Sequence, residues 1–293
     1  MAKTVDRLVE LIRETSSSLP EDVLKAIRSA MRRETRGKSA AVVLKTILDN
    51  CALAKKQSTP LCQDTGTLAF YVDESLKRKV TPAVIKRAVA IATERGYLRK
   101  NCIDSVTGKS YDDNCCDGAP VVHYVGNGEL GIGNGRVTLL LKGGGSENMS
   151  RQYSLPDASL GAGRDLEGVR KCILDAVVKA QGFGCAPGIL GVCIGGDRAT
   201  AYEVAKEQLL RPLDASDQGS WTRAQGSGSG GQLRKLEKRI LKEANELEIG
   251  PMGLGGRTTL LGVKIASRPR VPASFFVTIA YMCWACRRRT ISL

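Results

Sequence analysis

Cys62-Gln63-Asp64-Thr65-Gly66-Thr67 crowds a thiol, an amide, a carboxylate and hydroxyls into one short turn. It follows Pro60-Leu61 and leads into Leu68-Ala69-Phe70-Tyr71-Val72, an apolar run that reads as a strand. A turn of this composition, directly before a strand, suits a reactive site better than a packing element. Two further cysteines stand in comparably unusual settings: Cys185 within GFGCAPGILGVCIGGDRAT and Cys283 within FFVTIAYMCWACRRR. Three thiolates drawn from distant parts of a chain could hold an iron–sulfur cluster with one iron left open.

The chain has ten cysteines and a single histidine, His123. In a reducing compartment disulfides are disfavoured, and catalytic or metal roles gain weight. Cys51 and Cys172 fall at apolar positions of predicted helices, where a buried thiol behaves as a small hydrophobe. The lone C-x-x-C, Cys283-Trp284-Ala285-Cys286, has no second pair at zinc-finger spacing, and one histidine supplies a Cys/His zinc site poorly. Zinc is not expected.

At 293 residues, 42% hydrophobic and 25% charged, the chain can bury a full core as one large domain or two smaller ones. The longest mainly apolar run, Ala273 to Ala285, falls short of the roughly 20 residues that span a bilayer. No secretory signal is read between Met1 and Val23, so a cytoplasmic protein without membrane attachment is expected. The net charge of +14 raises nucleic acid as a partner. The basic residues are nevertheless spread along helices among acids, and the one cluster, Arg287-Arg288-Arg289, sits near the C-terminus. Anionic small molecules or an acidic partner subunit answer the same charge, and no nucleic acid is expected.

The elements that must position these residues are legible in part. Val5, Leu8, Val9 and Ile12 recur at helical spacing, and Pro20-Glu21-Asp22 opens a second helix with acids at its positive end. Ala40–Lys55 and Pro82–Arg95 read as further helices, with the CQDTG turn between them. Val121–Val125 and Arg136–Lys142 read as strands. Beyond them lie helices over Leu166–Gln181, Ala199–Leu210 and Leu233–Leu247. The Cys185 segment reads as a glycine-rich loop through Leu190 to Ile194, and Ser216–Gly231 as a flexible surface loop. A glycine-rich turn from Gly250 to Gly256 and two strands complete the chain. The expected fold is α+β: a helical N-terminal part, then a mixed-sheet α/β region with glycine-rich ligand loops. Residues 1–110 are expected to form the helical subdomain carrying Cys62, and residues 111–293 the mixed-sheet subdomain carrying Cys185 and Cys283.

Gly126-Asn127-Gly128-Glu129-Leu130-Gly131 matches G-x-G-x-x-G, but a strand pattern follows where a dinucleotide fold needs a helix. These glycines are read as hairpin turns. Lys142-Gly143-Gly144-Gly145-Ser146-Glu147-Asn148 is the second unusual segment. Its glycines permit positive φ and close backbone approach, either to hold a carboxylate on exposed N–H groups or as a flexible loop.

Taken together, CQDTGT, KGGGSEN, GCAPGILGVCIGG and YMCWACRR resemble segments of the class I fumarase and L-tartrate dehydratase family, in that family's order and at comparable separations. The resemblance runs from about Asp22 to the end of the chain and identifies it as similar to the family's alpha subunit, or N-terminal catalytic domain. It implies an iron–sulfur hydro-lyase whose [4Fe-4S] cluster is held by Cys62, Cys185 and Cys283. It also implies that Arg99, in Tyr97-Leu98-Arg99-Lys100-Asn101, pairs with a substrate carboxylate, for which a planar guanidinium is suited. Gln63, Asp64 and Gly144 are implied as substrate neighbours, with Asp64 and Arg99 as the catalytic pair.

The chain also departs from the family. Where an Arg-His pair is expected before the third cysteine, it has Arg270-Val271, and valine exchanges no proton. Cys115-Cys116 stand where small residues such as threonine and glycine are usual. The roles of Cys115, Cys116, Cys193 and Cys286 stay open. His123 is read as a satisfied core residue of its strand. The family's swivelling domain, with its proton-transfer group, is expected on a separate beta subunit, making a hetero-oligomer. The expected activity is reversible hydration of fumarate to (S)-malate. The alternatives are an L-tartrate dehydratase alpha subunit, or a cluster-binding subunit weakened by Val271.

Overall fold

The computed structural model describes residues 2–126, 130, 132–214 and 230–293. The predicted flexible loop over 216–231 lies almost wholly outside the described residues, as does part of the Gly126–Gly131 stretch. The architecture is α+β, with eight helices and ten strands among the described residues. No described helix is long and apolar enough to cross a membrane. Two compact units interleave along the chain. The first takes the N-terminus through Glu21, residues 47–144 and residues 285–293; the second takes residues 22–46 and 145–284.

The first unit is built on a four-stranded sheet in the order β10-β5-β1-β4: β10 is Arg287–Ser292, β5 Arg136–Lys142, β1 Thr67–Asp73 and β4 Val121–Val125. Alternation decides its faces. Leu68, Phe70 and Val72 of β1 and Val137, Leu139 and Leu141 of β5 point one way. They meet Val5, Leu8 and Ile12 of α1 (Ala2–Ser17) and Ile85, Ala88 and Val89 of α4 (Pro82–Glu94) in one core. α4 starts where Thr81 caps Val84 N and Pro82 takes the first turn. The strands β4 and β5 do not form the expected hairpin. β1 lies between them, parallel to β4 and antiparallel to β5. A parallel pair needs a crossover, and α4 with the small ribbon of β2 (Cys102–Ile103) and β3 (Ser110–Tyr111) supplies it.

The second unit has a sheet in the order β6-β9-β7-β8, with β6 at Arg151–Ser154, β7 at Gly188–Gly195, β8 at Leu260–Arg268 and β9 at Phe276–Met282. β7 corrects the reading of the Cys185 segment as a loop through Leu190 to Ile194: every residue of the strand is buried, between β8 and β9. Its glycines serve close packing. A Cβ on Gly191 would stand 2.1 Å from the carbonyl oxygen of Ala205 in α7 (Arg198–Gln208). On the other face, α6 (Leu166–Ala180) and α8 (Gly230–Glu246) bring Val169, Ile173, Leu236 and Ile240 onto Val192, Ile265 and Ile279. The helix expected to open at Pro20-Glu21-Asp22 is α2 (Glu21–Arg33), and the one expected over Ala40–Lys55 is α3 (Ser39–Gln57). Only two strands were expected after Gly256, and β10 is the third.

Candidate active site

The CQDTGT turn is fixed from below. Leu61 N donates to Ser16 O at 2.9 Å, and Asn50 Nδ2 in α3 donates to Leu61 O at 3.0 Å. Thr65 is buried and its hydroxyl accepts from Arg99 N at 3.3 Å. Gly66 has φ +81°, and a Cβ there would stand 2.6 Å from the carbonyl of Lys142. Glycine is therefore required twice over, by conformation and by space.

The KGGG stretch meets the same turn. None of Gly143, Gly144 and Gly145 adopts positive φ, so the expected conformational reason does not apply. The reason is close approach: a Cβ on Gly143 would stand 2.8 Å from Asp64 Oδ2. Gly144–Asn148 then forms a single helical turn, α5.

Arg99 leaves α4 through a short linker and is exposed, its Nη1 donating to Gln63 Oε1 at 3.5 Å. Its backbone is clamped by Asn114, which is buried at φ +58°, a region asparagine tolerates. Asn114 Nδ2 donates to Arg99 O at 2.7 Å, while its Oδ1 accepts from the N–H groups of Asn101 and Cys102. Gln63, Asp64, Arg99 and Gly144 line one cavity of about 590 Å³, together with Cys102 and Asn114. A cation, a carboxylate and an amide around such a space suit a small polar anion.

One residue of this site was missed. Arg287, read as part of a terminal basic cluster, opens β10, is 1% exposed, and donates from Nη2 to Asp64 O at 2.8 Å. Its Nε and Nη1 are buried without a partner among the described residues. Arg288 is also buried, and Arg289 pairs with Glu14 and Ser18, so the cluster is a strand and not a solvated tail. A cation following a C-x-x-C gives no pattern that marks it as buried.

Cys62 is half-buried beside the cavity residues in the first unit. Cys185 and Cys283 belong to the second unit, both half-buried and outside any disulfide. Trp284 N donates to Cys185 O at 3.3 Å, and Cys185 has φ +53°. Tyr281, two residues before Cys283, is buried. Its hydroxyl is pushed well above the usual phenol range, by burial first and then by the charges of Cys283 and Cys185. The ring fits only because Gly184 and Gly188 lack side chains, a Cβ on either falling within 2.5 Å of it. Among the described residues, no three His, Cys, Asp or Glu side chains stand together at metal-holding spacing. His123 is half-buried on the edge strand β4 and stacks on Tyr71 with ring centroids 4.9 Å apart. Val271 is 64% exposed.

The chain is similar to known proteins along its whole length. A family model described as fumarate hydratase (Fumerase) matches residues 5–292. A putative fumarate hydratase class I of Geobacillus stearothermophilus is 46% identical over 293 residues, which cover 98% of this chain and 54% of the relative. The chain therefore spans about half the length of that protein. A putative L(+)-tartrate dehydratase subunit alpha of Methanocaldococcus jannaschii is 32% identical, with 98% of this chain and 96% of the relative covered. The L(+)-tartrate dehydratase subunit alpha of Escherichia coli (strain K12) is 26% identical, with 99% and 91% covered. With that match across residues 5–292, the chain belongs to the fumarate hydratase (Fumerase) family.

Proposed function

We propose that this chain is the alpha subunit of an iron–sulfur hydro-lyase that hydrates fumarate to (S)-malate with a beta subunit. The observation that carries the reading is the convergence of Gln63, Asp64, Arg99 and Gly144 on one cavity. Cys62, Cys185 and Cys283 are the proposed ligands of a [4Fe-4S] cluster. The donor chemistry fits, since all three are half-buried thiols on loops outside any disulfide, and thiolates select iron–sulfur clusters. The orphaned donors of buried Arg287 fit as well, because a buried cation calls for an anion nearby. When bound, the cluster supplies a Lewis acid that polarises the substrate hydroxyl.

The chain's own residues bind and orient. Arg99 grips one substrate carboxylate, with a guanidinium that matches it in two parallel hydrogen bonds. Gln63 orients the dicarboxylate from the same side, and the small Gly144 leaves it room. Asp64 presents a carboxylate held against Gly143; in hydration it takes a proton from the attacking water, and in dehydration it returns that proton to the departing hydroxyl. Removal of the C–H proton is assigned to the swivelling domain of the beta subunit. The names "subunit alpha" of two relatives support such a partner. A cytoplasmic location is proposed from the thiol-rich composition.

The second reading, L-tartrate dehydratase, is favoured by the nearly full-length coverage of the tartrate dehydratase alpha subunits. The deciding experiment co-purifies chain and beta partner anaerobically, restores iron, and assays fumarate and L-tartrate side by side. Fumarate turnover exceeding tartrate turnover is expected, with none from the chain alone. The reverse preference establishes the second reading. In the same complex Arg99→Ala should weaken dicarboxylate binding about 10- to 100-fold, the value of a charged hydrogen-bonded pair, and leave the iron–sulfur absorption unchanged.

A further inference from the structure

The cavity wall beside Arg99 holds chemistry that hydration does not use. Cys102 Sγ lies 3.2 Å from Cys116 Sγ, although they stand fourteen positions apart in the chain. Both thiols are half-buried, and Cys102 lines the cavity itself. The two segments are already joined through Asn114, which accepts from the N–H groups of Asn101 and Cys102 and precedes Cys116 by two residues. A disulfide has its sulfurs about 2.05 Å apart, so closing one here asks each sulfur to move by roughly half an ångström. Cys115, the competing neighbour, is turned elsewhere, its thiol donating to Lys86 O at 3.3 Å and Asp113 O at 3.4 Å.

We propose that Cys102 and Cys116 are a reversible disulfide site set into the wall of this cavity, closed by hydrogen peroxide and reopened by dithiols. One thiolate attacks the peroxide O–O bond, becomes a sulfenic acid and releases hydroxide. The second thiolate then attacks the sulfenyl sulfur, the S–S bond forms, and a second hydroxide leaves. The sulfurs give up two electrons, the peroxide oxygens gain them, and both thiol protons end in water. Burial, and then the contact with Cys116, pushes the Cys102 thiol up to about 11, so little thiolate exists at neutral pH. The pair therefore answers sustained oxidant rather than a brief pulse. Once closed, it ties the segment that carries Arg99 covalently to the loop that carries Asn114.

The test is peptide mapping and needs no substrate, iron or partner, so it stands apart from the hydration reading. The full chain is reduced, freed of reductant, treated with hydrogen peroxide, alkylated and cut with trypsin. Cleavage after Lys109, which is exposed, puts Cys102 and Cys116 on different peptides, joined only by a disulfide. The expected result is a joined Asn101–Lys109 and Ser110–Arg136 species that disappears on reduction. It should be lost in Cys116→Ser and kept in Cys115→Ser. Full alkylation of Cys102 after peroxide, or a joined species surviving in Cys116→Ser, overturns the proposal.

Discussion

Arg287 Nη2 donates to the carbonyl oxygen of Asp64 at 2.8 Å, from a side chain only 1% exposed. The last strand of the chain thus supports the turn that begins at Cys62. Two of its remaining donor nitrogens have no partner among the described residues, an arrangement that costs stability unless an anion is bound. Arg287→Met should therefore leave the iron-free chain as stable as the parent, or more so, in thermal melts. It should also lower the iron retained after anaerobic reconstitution. A melting temperature that drops while iron content stays at the parent level would contradict this role.

Gly66 and Gly143 make a matched pair of tests. Gly66→Ala combines φ +81° with backbone 2.6 Å from the new methyl, so it should destabilise the fold by at least about 1–3 kcal/mol. Gly143→Ala meets a side-chain oxygen, Asp64 Oδ2, which can swing away. Its expected signature is a chain that melts near the parent temperature while dicarboxylate binding falls. Denaturant melts and ligand titration on both variants separate the two effects; equal loss of stability would show that Asp64 cannot yield.

What the sequence showed and what it hid follow from range. Val5, Leu8 and Ile12 announce α1 because helical spacing is local, and Leu68-Ala69-Phe70-Tyr71-Val72 announces β1 as a short apolar run. Which strand neighbours which is set by contacts far along the chain, so the placement of β1 between β4 and β5 had no local signal. β7 was hidden by its glycines, whose purpose appears only when Ala205 and Tyr281 are seen pressing on them. Gln63, Asp64, Arg99 and Gly144 were implied by the family resemblance, and all four line one cavity. Arg287 escaped because three successive arginines ordinarily mark a solvated face, and only pairing with β5 buries the first two of them.

Asp73 predicts an acid limit for the first unit. Burial favours its neutral form, but hydrogen bonds from Ser75 N at 2.9 Å and Gly135 N at 3.0 Å outweigh this and hold its carboxyl below the usual range. A carboxyl with a lower pKa when folded stabilises fully above its unfolded value of about 3.9, and that stabilisation fades as pH falls through the folded value. Asp73→Asn should cost about 1 kcal/mol near neutrality, as for loss of a cap, with the gap to the parent closing below pH 4. Denaturation midpoints measured between pH 7 and pH 3 provide the check. A gap that stays constant would mean that the charge of Asp73 contributes nothing.

Val271 stands where the resemblance to the family calls for histidine, and its surroundings make the reversal easy to test. The turn holds itself together through its neighbour. Arg270 Nη1 donates to the carbonyls of Val271, Pro272 and Ser274 at 3.0–3.3 Å, and its guanidinium lies 4.4 Å over the Phe275 ring. The side chain at 271 takes no part in this and is 64% exposed, so Val271→His should change stability by less than about 0.5 kcal/mol. Turnover by the reconstituted complex should rise, because an imidazole can exchange a proton that valine cannot. The new activity should carry an inflection near the ordinary histidine pKa of about 6.5, absent from the parent. Unchanged turnover with an unchanged pH profile would place residue 271 outside the reaction and leave the acid–base work to Asp64 and the partner subunit.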